Sequence, residues 1–162
     1  MVRHKFLIHF VIMIFFLLFA QGLVSVQAAD YDLLVQYAPE FQFTGNECCY
    51  PVDVEFFIEN SALYRYSDSV SEVQNNTVTV ALLGNVSATS EWYLDNKMGT
   101  ITDMGIVSHY QSQGIIRGYT VYGNVVIEGD VTILQYWMFY VFNKGSLNVH
   151  EGDWEVDRKS VV

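Results

Sequence analysis

Residues 131–156 constrain the fold of this chain more than any other stretch. They read VTILQYWMFYVFNKGSLNVHEGDWEV, and their first half, 131–142, is a nearly unbroken run of β-branched and aromatic side chains. A strand of this composition is covered by other parts of the protein on both faces. We therefore predict a central strand over residues 131–142, followed by a short polar loop over residues 143–148.

Ionisable side chains surround one tryptophan after this loop, in the order His150, Glu151, Gly152, Asp153, Trp154, Glu155. In an extended chain Asp153 and Glu155 project from one face, with Cα atoms roughly 6.5 Å apart, and Trp154 points to the other face. His150 faces away from Asp153 in a regular strand, so it joins the carboxylates only if Gly152 permits a bulge or turn. The pattern predicts a cation site on one face, anchored by a buried aromatic residue.

Turn signals and short apolar periods predict a mainly β chain elsewhere. The expected strands cover residues 33–37, 41–43, 62–66, 77–83 and 91–94, with a polar loop over 67–76 and turns over 95–105. A hairpin is expected to join 115–122 to 125–128 through Gly123-Asn124. Pro51, followed by alternating acidic and apolar residues, predicts one short helix. The fold class is therefore a β-sandwich, jelly-roll-like, with one or two short helices.

Two segments resemble the vacuolar protein sorting 62-type family. The first is QYWMFYVFN at residues 135–143 with His150 and the GDWE sequence at 152–155. The second comprises YAPEF at residues 37–41 and ECCYPVDVEFF at 47–57. The resemblance spans about residues 35–156, and it implies a β-sandwich without a settled biochemical activity.

A more distant likeness is to the necrosis-and-ethylene-inducing-like cytolysins. Their HRHDWE sequence binds a divalent cation through its first histidine, its aspartate and its glutamate, which correspond by position to His150, Asp153 and Glu155. This chain departs from that pattern at Glu151 and Gly152, and it has Asn143 where the cytolysin strand ends in aspartate. Asn143 and Glu151 are candidates to complete the ligand shell, and Trp137 and Trp154 are candidate structural anchors.

Oxygen ligands with one imidazole favour calcium, magnesium or manganese over a structural zinc site. We interpret the chain as a non-enzymatic protein whose cation bridges a membrane head group or a glycan, as the cytolysin likeness implies. The alternative is a glycan hydrolase that uses Asp153 with Glu155 or Glu151 as a carboxylate pair. Such pairs usually come from different strands across a cleft. Phosphate-binding glycine loops and a GxSxG nucleophile motif are absent from the sequence.

The first 28 residues have the three parts of a signal peptide. Arg3 and Lys5 form a basic start, residues 6–20 are apolar, and Val26-Gln27-Ala28 places small residues where a signal peptidase cleaves. We predict a secreted protein with residues 29–156 as a partial β-sandwich domain, and an uncleaved anchor over 6–26 is the alternative. The formal net charge of −10 argues against nucleic acid as a partner.

The last six residues, 157–162, equal the translation of GATCGGAAGAGCGTCGTG, the start of a widely used sequencing adapter. We interpret them as an artefact of sequence assembly. The expectation that follows is a C-terminally truncated domain, whose natural chain continues past about residue 156 with further strands.

Three smaller features complete the sequence. The adjacent Cys48 and Cys49 are poorly placed to bond to each other, so distant partners beyond the visible chain, a strained vicinal disulfide and a metal-binding pair stay open, in that order. Asn75 and Asn85 each begin an Asn-X-Ser/Thr glycosylation triplet, a weak signal by itself. His109 is interpreted as a surface or core histidine rather than a ligand.

Overall fold

A computed structural model of the chain describes residues 9–12, 28–43, 49–87, 89, 91–100, 103–144 and 149–161. For residues 9–12, 28, 29, 104 and 144 it describes the backbone alone.

The described elements form two sheets with short helices between and beside them. In chain order they are β1 (His9–Ile12), α1 (Ala28–Gln36), α2 (Val54–Glu59), β2 (Ser61–Ser67), β3 (Val70–Asn75), α3 (Val80–Leu83), β4 (Trp92–Asn96), α4 (Met104–Arg117), β5 (Thr120–Glu128), β6 (Val131–Lys144) and β7 (Val149–Val161). One sheet has the order β1-β5-β6-β7 and the other β3-β2-β4. All pairings are antiparallel except the parallel addition of β1 to β5. The predicted mainly β class, a β-sandwich with short helices, is confirmed.

The predicted central strand is β6, which lies between β5 and β7. One of its faces contributes Leu134, Tyr136 and Met138 to a core cluster that includes Leu34 of α1. Farther along, Phe139, Val141 and Phe142 belong to a second cluster that also contains these residues of α2 and α4: Phe56, Phe57, Ile106, Val107 and Tyr110. Helices therefore cover both faces of the sheet, which explains why both faces of β6 are apolar.

The short helix predicted after Pro51 is α2. Asp53 caps its N-terminus, since the Asp53 carboxylate accepts a hydrogen bond of 2.8 Å from the Phe56 backbone N–H. The helix buries Phe56, Phe57 and Ile58. The strands predicted over 62–66 and 91–94 are also present, as β2 and β4, and they pair with each other.

Four predictions of local structure are wrong. Residues 33–37 lie at the end of helix α1 and the turn after it, rather than in a strand, and residues 41–43 have no regular structure. Residues 77–83, predicted as a strand, contain helix α3, which Thr79 caps through a 3.1 Å bond from the Leu82 N–H. The polar stretch 67–76 contains strand β3, reached through a tight turn in which Asp68 and Ser69 have φ of 51° and 66°.

The predicted hairpin through Gly123-Asn124 is also wrong. Residues 104–117 form helix α4, and β5 runs through Gly123 and Asn124 without a turn. The chain reverses instead at Gly129, which has φ of 62°, and pairs β5 with β6. Gly123 is needed for another reason, because a Cβ added there would lie 2.7 Å from Leu34 Cδ1.

The two ends of the chain take part in the larger sheet. The backbone of residues 9–12 pairs with β5, and most of the predicted signal peptide lies outside the described residues. Residues 157–161 continue β7 beside β6. The signal peptide, the adapter origin of 157–162 and the further strands stay predictions. No helix in the described part of the chain is both long and apolar enough to cross a membrane.

Candidate functional site

Gly152 determines which residues meet at the start of β7. The pairs Tyr140↔Asp153 and Phe142↔Glu151 flank it, and its φ is 66°, in the left-handed region that favours glycine. In a regular strand, residues three apart point to opposite faces. Here the imidazole Nε2 of His150 lies 3.6 Å from Asp153 Oδ1. The left-handed conformation of Gly152 thus brings His150 to the Asp153 carboxylate. A bulge or turn at Gly152 is the condition under which the sequence predicts that the two side chains meet.

Asn143 is the third member of this group. It is the cross-strand neighbour of His150, and its side-chain Nδ2 donates a hydrogen bond of 2.9 Å to Asp153 Oδ2. The side chains of His150 and Asp153 are 33% and 25% exposed, so an ion from solvent can reach them. We call Asn143, His150 and Asp153 the His150 cluster.

The separation of His150 Nε2 and Asp153 Oδ1 is that of a loose ion pair, longer than a direct hydrogen bond, and it also matches the spacing of two ligands of one cation. Direct N–H···O bonds have N···O distances of about 2.7 to 3.2 Å. Two ligand atoms about 2.3 to 2.6 Å from one ion, at an angle near 90°, are about 3.3 to 3.7 Å apart. The 3.6 Å separation of these two atoms lies in that range.

The other imidazole nitrogen limits the strength of such a site. His150 Nδ1 is buried, and the described residues offer it no hydrogen-bond partner. A metal-bound histidine normally donates its second N–H to a carboxylate, a carbonyl or water, and losing that contact lowers metal affinity by about 10- to 100-fold. The His150 cluster is therefore suited to weak binding.

Glu155 does not complete the predicted three-residue set. Among the described residues, no group of three His, Cys, Asp or Glu side chains is placed to hold one ion. Glu155 pairs with Met138 farther along the strand and is exposed. The structure thus brings together His150, Asp153 and Asn143 and leaves Glu155 apart, and the cation itself stays a prediction.

Glu151 has a different environment from Asp153. Its Oε2 accepts a hydrogen bond of 3.1 Å from the Asn96 backbone N–H at the end of β4. Burial raises the pKa of the Glu151 carboxyl, the Asn96 hydrogen bond lowers it in part, and the charge of Asp95 raises it. Glu151 thereby links the two sheets and shares none of its described contacts with the His150 cluster.

Sequence reasoning missed the partners of Glu151. The Asn96 side-chain amide donates to the Tyr110 hydroxyl, joining β4 to α4. Burial, and then the charge of Glu151, raise the pKa of Tyr110 well above its usual range. No local pattern signals this network, because its three members are brought together from β4, α4 and β7 by the tertiary fold alone.

The two proposed aromatic anchors pack together but are not fully buried. The Trp154 ring lies 5.1 Å from Phe139, 5.5 Å from Tyr122 and 6.4 Å from Trp137 between ring centroids. Trp154 keeps 38% of its surface exposed, which corrects the expectation of a buried anchor. Trp154 stays partly exposed because β7 lies at the edge of the described sheet, with a neighbouring strand on one side only.

The cysteine pair is described in part. Cys49 is buried in the core cluster with Phe56, Phe139 and Val141. Cys48 lies outside the described residues, so the three interpretations of the pair stay open.

Comparison of the chain with protein-family models, with curated proteins and with solved structures finds no match.

Proposed function

We propose that this chain is an exported, non-enzymatic protein that binds a divalent cation weakly through His150 and Asp153. The observation that carries the proposal is the 3.6 Å separation of His150 Nε2 and Asp153 Oδ1 in a partly exposed position. Asn143 orients the carboxylate through its bond to Asp153 Oδ2, which leaves Oδ1 for the ion.

Calcium, magnesium or manganese suits the cluster, because carboxylate oxygen is the ligand these ions prefer. Two protein ligands leave most of the coordination shell to water or to a partner. We expect dissociation constants in the range of extracellular calcium modules, about 10⁻⁴ to 10⁻³ M.

A head-group phosphate or a sugar hydroxyl would complete the shell and place the protein on a membrane or glycan surface. The acidic chain, with a net charge of −10, is repelled by anionic surfaces unless a cation lies between them. Sedimentation with phosphatidylserine vesicles, and glycan-array binding, each with and without chelator, test this step. Binding that is insensitive to chelator contradicts a cation bridge.

Isothermal titration calorimetry with Ca²⁺, Mg²⁺ and Mn²⁺ tests the cation site itself. Asp153→Asn should abolish the binding heat, because it removes the only carboxylate of the described His150 cluster. Asp130→Asn is the matched control, since Asp130 is an exposed aspartate in the turn at the opposite end of β6. Glu155→Gln should leave affinity unchanged. Equal binding by Asp153→Asn and the parent protein refutes the assignment.

One observation favours the hydrolase as a second candidate. Burial raises the pKa of the Glu151 carboxyl, and catalytic acids of glycosidases also have a raised carboxyl pKa. Its hydrogen bond to Asn96 and its separation from the contacts of Asp153 favour a structural role. Hydrolysis of a glycan that is lost in Glu151→Gln supports the hydrolase in place of the binding protein.

A further inference from the structure

Two Asn-X-Ser/Thr triplets lie close together in the chain between β3 and β4, and the function proposed above uses neither. Asn75 is the last residue of β3, and Thr77 follows two residues later. Asn85 and Ser87 follow helix α3. The triplets alone are a weak signal, so the conformation of each asparagine decides whether it can carry a sugar in the folded protein.

Asn75 is held with the nitrogen of its side-chain amide unused. Its Oδ1 accepts a hydrogen bond of 2.8 Å from the Thr77 backbone N–H, the turn that asparagine forms with its own backbone two residues on. No hydrogen bond from Nδ2 is found in the described part of the chain. Asn76 and Thr77 are exposed. Among the described residues, the atom that would carry a glycan thus makes no hydrogen bond that modification would break.

Asn85 is exposed, as is Ser87. Its Nδ2 donates a hydrogen bond of 2.9 Å to the carbonyl of Ala81, the second residue of α3. A glycosylated amide keeps one N–H, so this bond can persist after modification. Both positions accept an added sugar without loss of a contact that the fold needs.

Asn75 lies beside an exposed strand edge that a glycan would cover. β3 is an edge strand of its sheet, and Val70, Val73 and Tyr66 on this hairpin are 53%, 46% and 50% exposed. An open edge with exposed apolar side chains can pair with another chain and aggregate. N-linked sugar is bulky and solubilising, and from Asn75 it would extend at the end of this strand.

We propose that Asn75 and Asn85 carry N-linked glycans, and that the glycan on Asn75 shields the β3 edge from pairing with other chains. In the transfer, Nδ2 forms a bond to the anomeric carbon of an oligosaccharide carried on a polyprenyl diphosphate. The bond from that carbon to the diphosphate oxygen breaks, the diphosphate leaves, and one Nδ2 proton passes to a base of the transferase. The inference rests on export as proposed above, and it does not require the cation.

The test is secretion of the full chain from eukaryotic cells, followed by intact-mass measurement before and after peptide N-glycosidase treatment. We expect two glycans, with enzymatic release converting each occupied asparagine to aspartate. Thr77→Ala should remove the glycan at Asn75 while keeping the backbone N–H that Asn75 accepts. Thr77→Ser is its matched control and should keep the glycan. Ser87→Ala and Ser87→Thr form the same pair for Asn85.

Shielding is measured on the same proteins by light scattering. Thr77→Ala should aggregate at a lower concentration than Thr77→Ser, whereas loss of the Asn85 glycan should have a smaller effect. Equal aggregation of Thr77→Ala and Thr77→Ser refutes the shielding role.

A second series, in which an established cleavable signal peptide replaces residues 1–28, separates export from modification. Sugar on this series alone means that the proposed export is wrong and the glycan sites are right. Absence of sugar from both series overturns the inference, and neither result depends on cation binding.

Discussion

Gly123→Ala tests how closely helix α1 is packed on β5. The added Cβ would lie 2.7, 3.1 and 3.3 Å from Leu34 Cδ1, Cδ2 and Cγ, and Leu34 is buried, so one of the two elements must shift. Overpacking of this kind costs about 1 to 3 kcal/mol. Alanine in place of a strand glycine returns about 0.5 to 1 kcal/mol. We expect a net loss of about 0 to 2.5 kcal/mol in the free energy of unfolding, centred near 1 kcal/mol.

Substitution of Leu34 should remove the cost of Gly123→Ala. Leu34→Ala by itself should cost about 2 to 5 kcal/mol, because it leaves a cavity in the core. It also removes the three atoms that the added Cβ would meet, so Gly123→Ala should become neutral or stabilising by up to about 1 kcal/mol in that background. Leu34→Val removes Cδ1, the atom nearest to the added Cβ, at a smaller cost in stability. It replaces Leu34→Ala in the cycle if Leu34→Ala does not fold.

Urea unfolding followed by tryptophan fluorescence measures all four proteins of this cycle. Gly84→Ala is the control, since its added Cβ would meet the Ala81 carbonyl oxygen at 3.6 Å, an ordinary van der Waals distance. If the cost of Gly123→Ala is the same with and without the Leu34 side chain, α1 is not packed on β5 and the reasoning fails.

Three further predictions concern the hydrogen bonds and backbone around the sheet. Tyr122→Phe should cost about 1 to 3 kcal/mol in urea unfolding, because the Tyr122 hydroxyl accepts the Val54 N–H at 2.9 Å and phenylalanine leaves that donor unpaired. Gly152→Ala should cost about 1 to 2 kcal/mol from its φ of 66°, with Gly152→Asn costing less, and an equal cost would contradict backbone strain. Burial raises the pKa of Tyr136 above 10.0, so the native state keeps a proton that the unfolded chain loses, and the free energy of unfolding should fall as pH rises past about 10. Tyr136→Phe should lessen that fall in urea titrations between about pH 8 and 11, and an unchanged fall would count against the assignment.

The strongest sequence signals concern long-range burial, and these predicted the fold well. The run over 131–142 predicts a strand covered on both faces. Helices pack on both sides of β6 because the side chains on both of its faces are apolar. Pro51 and the alternating acidic and apolar residues after it predict helix α2, because the preference for proline and acidic residues at a helix N-terminus does not depend on the rest of the fold.

Local signals were misleading where tertiary contacts override them. Gly123-Asn124 is a typical turn dipeptide, yet Gly123 lies within β5 because Leu34 needs the space that a side chain would take. Helix α4 has Ile106, Val107 and Tyr110 on one buried side, but its glycines and small polar residues weaken the helical signal. β3 was missed because its side chains are almost all exposed and so show no apolar alternation.

The segment from His150 to Glu155 places its side chains in two different environments, and the conformation of Gly152 decides which side chain lies in which. His150 before Gly152 and Asp153 after it reach the same partly exposed position, whereas Glu151 accepts a hydrogen bond from Asn96 of β4. In a regular strand His150 would share a face with neither Asp153 nor Glu155, and a carboxylate pair alone would remain. Because Gly152 is left-handed, His150 and Asp153 lie together instead, and Glu155 lies apart from them. The same six residues therefore supply an acid that links the two sheets and a partly exposed histidine–carboxylate pair. Substitution of Glu151 should lower stability, whereas substitution of Asp153 should change the ion affinity that we propose.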